Sequence, residues 1–99
     1  MARKEDEKKD DWLVALGQSI CERRAEISMT QQQLAELSGV HRTYISDIER
    51  GSRNVTVTTA NKIAGALNMT TSTLFDITDA KVRHQHSQLS EPEVQIQAN

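Results

Sequence analysis

Residues 30–51, TQQQLAELSGVHRTYISDIERG, limit more strongly than any other segment what this chain can fold into. Thr30 and Gln33 have the spacing of a capping box, so a helix is predicted to begin at this point. Gly39 marks its end, because glycine readily adopts the positive φ that follows a last helical turn. A second helix is expected to start near His41 or Arg42. The segment therefore predicts two short helices joined by a tight glycine turn.

The second of these helices is predicted to have one apolar side and one polar side. Ile45 and Ile48 are three residues apart and define the buried side, and Gly51 ends the helix. Rotation of about 100° per residue directs these polar side chains away from the isoleucines: Thr43, Ser46, Asp47 and Arg50, with Arg42 on the flank. A helix that is anchored by one side and free on the other can enter a DNA groove. The sequence therefore favours a DNA-binding module.

Three further helices are predicted around this pair. Asp11 is the predicted N-cap of a first helix that runs to about Ala25; Thr56 caps a fourth helix that ends near Leu67, and Thr70 caps a short fifth helix. The fifth helix carries Leu74 and Phe75. The residues expected to face the core recur at helical spacing: Leu13, Leu16, Gly17, Ile20, Ile27, Met29, Leu34, Ala35, Leu37, Val40, Ile45, Ile48, Val57, Ile63, Ala64 and Leu67. We predict an all-α fold, a compact five-helix domain over residues 11–77.

Polar segments flank the predicted domain. Residues 1–10 are expected to form a charged, flexible arm, because they are poor in apolar side chains. An arm that wraps DNA is the alternative, and its intermixed acids weaken that alternative. Residues 78–99 are expected to be a polar, disordered tail, with a segment that folds on a partner as the alternative.

The distribution of charge supports a nucleic-acid partner better than the total does. The formal net charge is −2, whereas DNA-binding domains are usually basic. Residues 12–75 carry six basic and five acidic side chains, so the excess of acids lies in the flanking segments. A subunit with few basic contacts would bind weakly by itself, and we expect DNA binding to be salt-sensitive and to require a dimer.

Other kinds of site are not predicted. Cys21 is the only cysteine, and His84 and His86 are far from it in sequence, so neither a disulfide nor a metal site is expected. Paired carboxylates and phosphate-binding glycine loops are missing, so we expect no enzyme activity and no cofactor. The longest apolar run, residues 12–16, is too short for a signal peptide or a membrane span, which predicts a cytoplasmic protein with no membrane partner.

Two charged residues fall at inward positions. Arg24 is four residues after Ile20 on the first helix, and Glu49 is next to Ile48 on the third. Two such charges are costly to bury unless they meet, so we predict a partly buried ion pair that ties these helices together.

The run LAELSGVHRTYISDIERG resembles the helix-turn-helix of Cro and lambda-repressor-type proteins, the XRE-like family. The segment YISDIERGSRN resembles the controller proteins of bacterial restriction-modification systems. The resemblance covers about Leu13 to Phe75 and implies a lambda-repressor-like fold with the same Arg24–Glu49 ion pair. It also implies a transcriptional regulator, either a controller protein or a phage-type repressor.

The DNA contacts are predicted from chemistry and supported by the resemblance. Arg42 can donate two hydrogen bonds to guanine. Asp47 can either accept from cytosine N4, or repel wrong positions and orient an arginine. A solvated surface side chain is the alternative for Arg42, and partial core packing is the alternative for Tyr44. The predicted base contacts are Arg42, Thr43, Ser46 and Asp47. The predicted phosphate contacts are Gln31, His41, Tyr44, Arg50, Ser52, Arg53 and Asn54.

We expect a homodimer, because a two-fold pair of recognition helices about 34 Å apart reads a pseudo-palindromic operator. Met69, Leu74, Phe75 and Ile77 are the predicted dimer patch, and closure of the monomer core is the alternative. The resemblance also implies an RNA polymerase contact if the protein activates transcription, because Glu36 on the second helix is placed like acidic residues that touch polymerase in related activators. The alternative function is an antitoxin-like module that neutralises a protein partner and represses its own operon.

Overall fold

Five α-helices make up residues 10–89, the part of the chain that this computed structural model describes. Helix α1 spans Asp11–Glu26, α2 spans Gln31–Ser38, α3 spans Arg42–Glu49, α4 spans Val57–Ala66 and α5 spans Thr71–Leu89. The all-α prediction is confirmed for these residues. The predicted properties of residues 1–9 and 90–99 lie outside the described part of the chain. No helix between residues 10 and 89 is long and apolar enough to cross a membrane.

Side-chain caps fix where the helices begin. The Thr30 hydroxyl accepts from the Gln33 backbone N–H at 3.0 Å, and the Gln33 side chain accepts from the Thr30 N–H at 2.8 Å. This is the predicted capping box. Thr56 caps α4 as predicted, and the Thr70 hydroxyl accepts from the Thr73 N–H at 3.0 Å at the start of α5.

The N-cap of α1 differs from the prediction by one residue. The carboxylate of Asp10 accepts from the backbone N–H groups of Trp12 and Leu13 at 2.7 and 3.2 Å. Asp11 is instead the first helical residue, where an acid is favourable beside the positive end of the helix dipole. Asp10 and Asp11 both fit the sequence pattern of an N-cap, and only the backbone geometry shows which of them has that position.

An aliphatic core joins all five helices. Its largest fully buried aliphatic side chains are Leu16, Ile20, Leu34, Ile45, Ile48, Ile63, Leu67 and Leu74. Two predicted core positions are wrong, because Leu37 is 65% exposed and Val57 is 71% exposed. Leu37 lies on the outer flank of Leu34, and Val57 lies in the first turn of α4, beyond the edge of the core.

Helix α5 is longer than predicted. It continues to Leu89, although residues 78–89 were predicted to belong to a disordered tail. Helices α1 and α5 pack together, and polar side chains join them along this extension. Trp12 Nε1 donates to Asp79 at 2.7 Å, the Thr78 hydroxyl approaches Ser19 at 3.4 Å, and Lys81 Nζ pairs with Glu22 at 2.7 Å. The polar composition of this segment predicts a tail rather than a helix, because the sequence does not show that its polar side chains bond to α1.

Gly17 sets the distance between α1 and the end of α3. A Cβ atom at this position would lie 2.5 Å from the carbonyl oxygens of both Ile48 and Glu49, which is too close for any side chain. A Cβ atom at Gly51, which has a φ of +75°, would lie 2.9 Å from the Cα atom of Val14. The end of α3 can therefore rest directly on the backbone of α1, which fixes the orientation of α3.

Candidate nucleic-acid interface

Helix α3 keeps its apolar side inside the core and its polar side open. Ile45 and Ile48 are fully buried. Arg42, Thr43 and Arg50 are exposed, while Ser46, Asp47 and Tyr44 are half-buried. The first turn of α3 also borders an open cleft of about 680 Å³ beside the end of α2, into which Arg42 and Thr43 face. The predicted base-contacting side chains therefore share one accessible side of a helix that the core holds in place.

His41 begins this helix with its side chain. Its Nδ1 accepts a hydrogen bond from the Thr43 backbone N–H at 3.1 Å, and the residue is exposed. An imidazole that accepts through Nδ1 carries its proton on Nε2, which is then a donor. The geometry leaves His41 able to donate outward while it caps α3.

Asp47 lies at the centre of a charged cluster on the same side. Its two carboxylate oxygens accept hydrogen bonds from Arg50 and from Arg53, the latter at 3.2 Å. Arg50 also donates to the Ser46 hydroxyl at 2.8 Å. The guanidinium of Arg53 lies 4.6 Å from the centre of the Tyr44 ring, within cation–π distance. Of the two roles predicted for Asp47, this arrangement matches the one in which it orients arginines.

The loop after α3 places the remaining predicted phosphate contacts together. Ser52, Arg53 and Asn54 are all exposed. The backbone N–H and the hydroxyl of Ser52 both donate to the carbonyl of Asp47 at 3.1 Å, which closes the loop onto the helix. Tyr44 donates its hydroxyl to the carbonyl of Asn54 at 3.4 Å, so its partial burial comes from this loop as well as from the core.

The ion pair predicted between α1 and α3 is present. Two guanidinium nitrogens of Arg24 donate to the two carboxylate oxygens of Glu49 at 2.7 and 2.9 Å, and a third donates to the Met29 carbonyl at 2.8 Å. The side chains are 16% and 7% exposed. The hydrogen bond to Glu49 raises the pKa of Arg24 above its ordinary value, and partial burial opposes that rise. The pair therefore fixes the last turn of α3 against α1.

The Gln31 side chain is predicted to be free to contact a phosphate, but in the structure it is hydrogen-bonded within the protein. Its amide Nε2 donates to Glu49 Oε1 at 2.9 Å, and the residue is half-buried. The side chain extends the ion pair to the start of α2, and one of its two amide hydrogens is used there. Sequence reasoning missed this contact because Glu49 is 18 positions away on another helix. The contact between Ser46 and Arg50 has a local signal, since residues four apart share a helix face.

The predicted dimer patch is only partly available. Leu74 is 0% exposed and belongs to the monomer core, so its assignment to an interface is wrong. Phe75 and Met69 are half-buried, and the Phe75 ring meets the Trp12 ring edge-on with 5.1 Å between centroids. Ile77 is 38% exposed. Leu74 is inward because it follows the Thr70 cap by one helical turn and faces the core from α5.

Other chemistry has little support in the described residues. Cys21 is a free, exposed thiol. Between residues 10 and 89, no group of three or more His, Cys, Asp and Glu side chains could hold a metal ion.

Comparison with known proteins agrees with this geometry. Residues 22–74 match the helix-turn-helix family. The control protein C.SmaI of Serratia marcescens is 56% identical over 41 residues, which cover 41% of this chain and 49% of that protein. The control protein C.BamHI of Bacillus amyloliquefaciens is 46% identical over 56 residues, which cover 57% of this chain and 69% of that protein. The chain thus spans about half the length of the first relative and about two thirds of the second.

A solved structure extends the likeness. The restriction-modification controller protein C.Esp1396I, seen as a tetramer in complex with its natural 35 base-pair operator, is 35% identical with a TM-score of 0.67. The match covers 72% of this chain and 93% of that chain. These similarities confirm the resemblance that the segment YISDIERGSRN carries.

Proposed function

The chain belongs to the helix-turn-helix family, and from this premise we propose that it is a sequence-specific DNA-binding transcriptional regulator. We assign it the role of a restriction-modification controller protein that binds a pseudo-palindromic operator as a dimer. The observation that carries the proposal is the two-sided α3. Its isoleucines anchor it in the core, while its arginines and hydroxyl side chains remain open to a major groove.

The first turns of α3 read bases. Arg42 donates a bidentate pair of hydrogen bonds to guanine O6 and N7, and Thr43 contacts a neighbouring base through its methyl or hydroxyl group. Ser46 and Asp47 are one turn further along the same side. The exposure of Arg42 and Thr43 beside an open cleft supports this order of contacts.

Phosphate contacts hold α3 in register on both sides. His41 donates through Nε2 at one end; Tyr44, Arg50, Ser52, Arg53 and Asn54 form the other contact region around the loop after α3. Gln31 contributes the amide hydrogen that Glu49 does not use. Such contacts fix position without reading sequence, and they make binding depend on salt.

A second copy of the chain completes the site. Phe75, Ile77 and Met69 form the apolar patch that we propose as the dimer contact, because they lie on or beside α5 with surface left uncovered by the monomer. The reported assembly of C.Esp1396I with its operator supports binding as an oligomer. Residues 11–77 form the DNA-binding domain in this proposal, and the remainder of α5 braces it against α1.

Regulation follows from where the protein binds. We assign no enzyme activity, and we place the protein in the cytoplasm with its DNA. Glu36 is exposed on α2, on the same side of the molecule as the cleft that borders α3, and it contacts RNA polymerase in our proposal.

A footprint tests the proposal directly. The full chain is titrated onto the DNA immediately upstream of its own gene, with an equal length of coding DNA as the control. We expect protection of a two-fold symmetric site upstream at concentrations that leave the coding DNA unprotected. Equal protection of both fragments would refute sequence-specific binding.

A further inference from the structure

The cluster around Asp47 holds two arginines before any DNA is present. Arg50 belongs to the end of α3 and Arg53 to the loop that follows, and the Asp47 carboxylate bridges them. The Tyr44 ring lies under Arg53 and keeps that side chain near Asp47. The side chain of Asp47 is 21% exposed, whereas those of Arg50 and Arg53 are 58% and 53% exposed. The acid is thus the inner member of the cluster, and both cations are on its outer side.

Asp47 is also the acid that opposes DNA on this surface. Residues 41–54 contain two acids, and Glu49 is already paired with Arg24 below the surface. When Arg50 and Arg53 move onto phosphates, the Asp47 carboxylate loses its partners and faces a polyanion. That cost is the same on every sequence unless a base edge supplies a hydrogen-bond donor. In the major groove only the amino groups of cytosine and adenine are such donors.

We propose that Asp47 is a specificity-determining residue, which acts as an internal counter-ion for Arg50 and Arg53. It weakens binding to DNA that offers only phosphates. It permits strong binding where a cytosine or adenine amino group faces the middle of α3. The inference rests on the proposed function and deepens it, because it assigns the ratio of specific to non-specific affinity to one carboxylate.

The test compares the full-length wild-type chain with Asp47→Asn, which keeps the shape and removes the charge. Affinity is measured by titrating fluorescent duplexes at salt concentrations from about 0.05 to about 0.3 M. One duplex has random sequence, and the other carries the site selected by the wild type. We expect Asp47→Asn to bind random DNA about fivefold more tightly than the wild type near ~0.15 M salt. The slope of log K against log salt concentration should be steeper by about one, because about one additional counterion is released. The ratio of the affinities for selected and random DNA should fall in Asp47→Asn, and the preference at one base pair should flatten in Asp47→Ala, which has no acceptor.

Glu26→Gln is the matched control. Glu26 pairs with Arg23 at 3.2 Å three residues away on α1, so the substitution removes the same charge and the same kind of ion pair outside the proposed interface. We expect it to leave the ratio of affinities unchanged. An equal gain on random DNA from Glu26→Gln would overturn the proposal, because net charge alone would then explain the effect. An unchanged ratio in Asp47→Asn would overturn it as well.

A second comparison tests whether Arg50 and Arg53 are needed for the effect of Asp47 on the affinity for random DNA. In a chain that carries Arg50→Gln and Arg53→Gln, adding Asp47→Asn should tighten binding to random DNA less than it does in the wild type, because no arginine is released; a gain as large as in the wild type would contradict the counter-ion role. Asp47→Ala, which favours a helix more than Asn does, gives the same readout if Asp47→Asn is unstable. A wild type without any base preference would refute the proposed function together with this inference. A wild type with a clear preference that Asp47→Asn retains in full would refute the inference alone.

Discussion

Single side chains explain how α3 is both held and left open. Arg24, Glu49 and Gln31 fasten its last turn from below, while Arg42 and Thr43 project from its first turn. The Arg24–Glu49 pair and the base contacts that we propose for Arg42 and Thr43 therefore use different residues, and each can be tested by substitutions that leave the other in place.

Arg24→Ala should lower the free energy of unfolding by roughly 3–5 kcal/mol, because it leaves the carboxylate of Glu49 buried without its partner. Chemical denaturation measures this change. The double variant Arg24→Met with Glu49→Leu is the control, since removing both charges should recover most of the loss. A loss below about 1 kcal/mol for the single variant would mean that the pair behaves like an exposed one.

Arg42→Ala should weaken binding to the selected site by about 1–3 kcal/mol and flatten the preference at one base position, because it removes a bidentate contact to guanine. The measurement is a titration against duplexes that vary at each position in turn. An equal loss on random and selected DNA would reassign Arg42 to a phosphate.

The sequence predicts contacts between residues better when both partners have an unusual position. Arg24 and Glu49 could be paired because each is a charge at an inward position of its own helix. Gln31 gives no such signal, since a glutamine at the start of a helix is ordinary, and its partner is known only when α2 and α3 are packed. The cluster of Asp47 with Arg53 and Tyr44 likewise depends on the path of the loop after α3.

The sequence predicts the starts and buried sides of the helices better than it predicts individual contacts. Capping residues located the starts of α2, α4 and α5, and periodic isoleucines located the buried side of α3. Leu37 shows the limit of periodicity, because a short helix buries only the part of its surface that other helices reach. The length of α5 was not predicted, because its polar side chains are held by another helix: they form hydrogen bonds with Trp12 and Glu22 of α1.

Gly17→Ala should disturb the packing of α1 against α3. The new methyl group would lie 2.5 Å from backbone oxygens of Ile48 and Glu49, which cannot move as a flexible side chain can. We expect a loss of stability of about 1–3 kcal/mol, as for other overpacked sites, together with weaker operator binding. Thermal unfolding and a DNA titration measure the two effects.

Gly65→Ala is the control for that substitution. A Cβ at Gly65 would meet nothing within 4 Å, and the residue lies within α4. Alanine there should leave binding unchanged and raise stability by up to about 1 kcal/mol. Similar losses from both substitutions would show that the close approach at Gly17 does not explain the effect of Gly17→Ala.

The whole molecule combines a small core with a locally basic surface in an acidic chain. Its net charge is −2, yet Arg42, Arg50 and Arg53 are all exposed on α3 or next to it, where Glu49 is paired with Arg24 and Asp47 is half-buried. Such a surface offers few phosphate contacts per subunit. We therefore expect affinity for an operator to depend on joining two subunits, and Ile77 is the most exposed residue of the apolar patch that we propose as their contact.

Ile77→Lys should weaken the dimer about tenfold or more, because a charge would be buried in an apolar contact, while the monomer fold is retained. Sedimentation measures the dimer, and operator affinity should fall with it. Leu37→Lys is the control, since Leu37 is more exposed and lies on α2. A dimer that Ile77→Lys leaves intact would move the interface to another surface.

The most direct test of the account is selection of bound duplexes from a random pool by the full-length chain. If the open side of α3 reads the major groove in a two-fold dimer, the recovered sequences should share two inverted half-sites with centres about 10 base pairs apart or a multiple of that spacing. Recovery of no common motif, with the protein folded and dimeric, would contradict it.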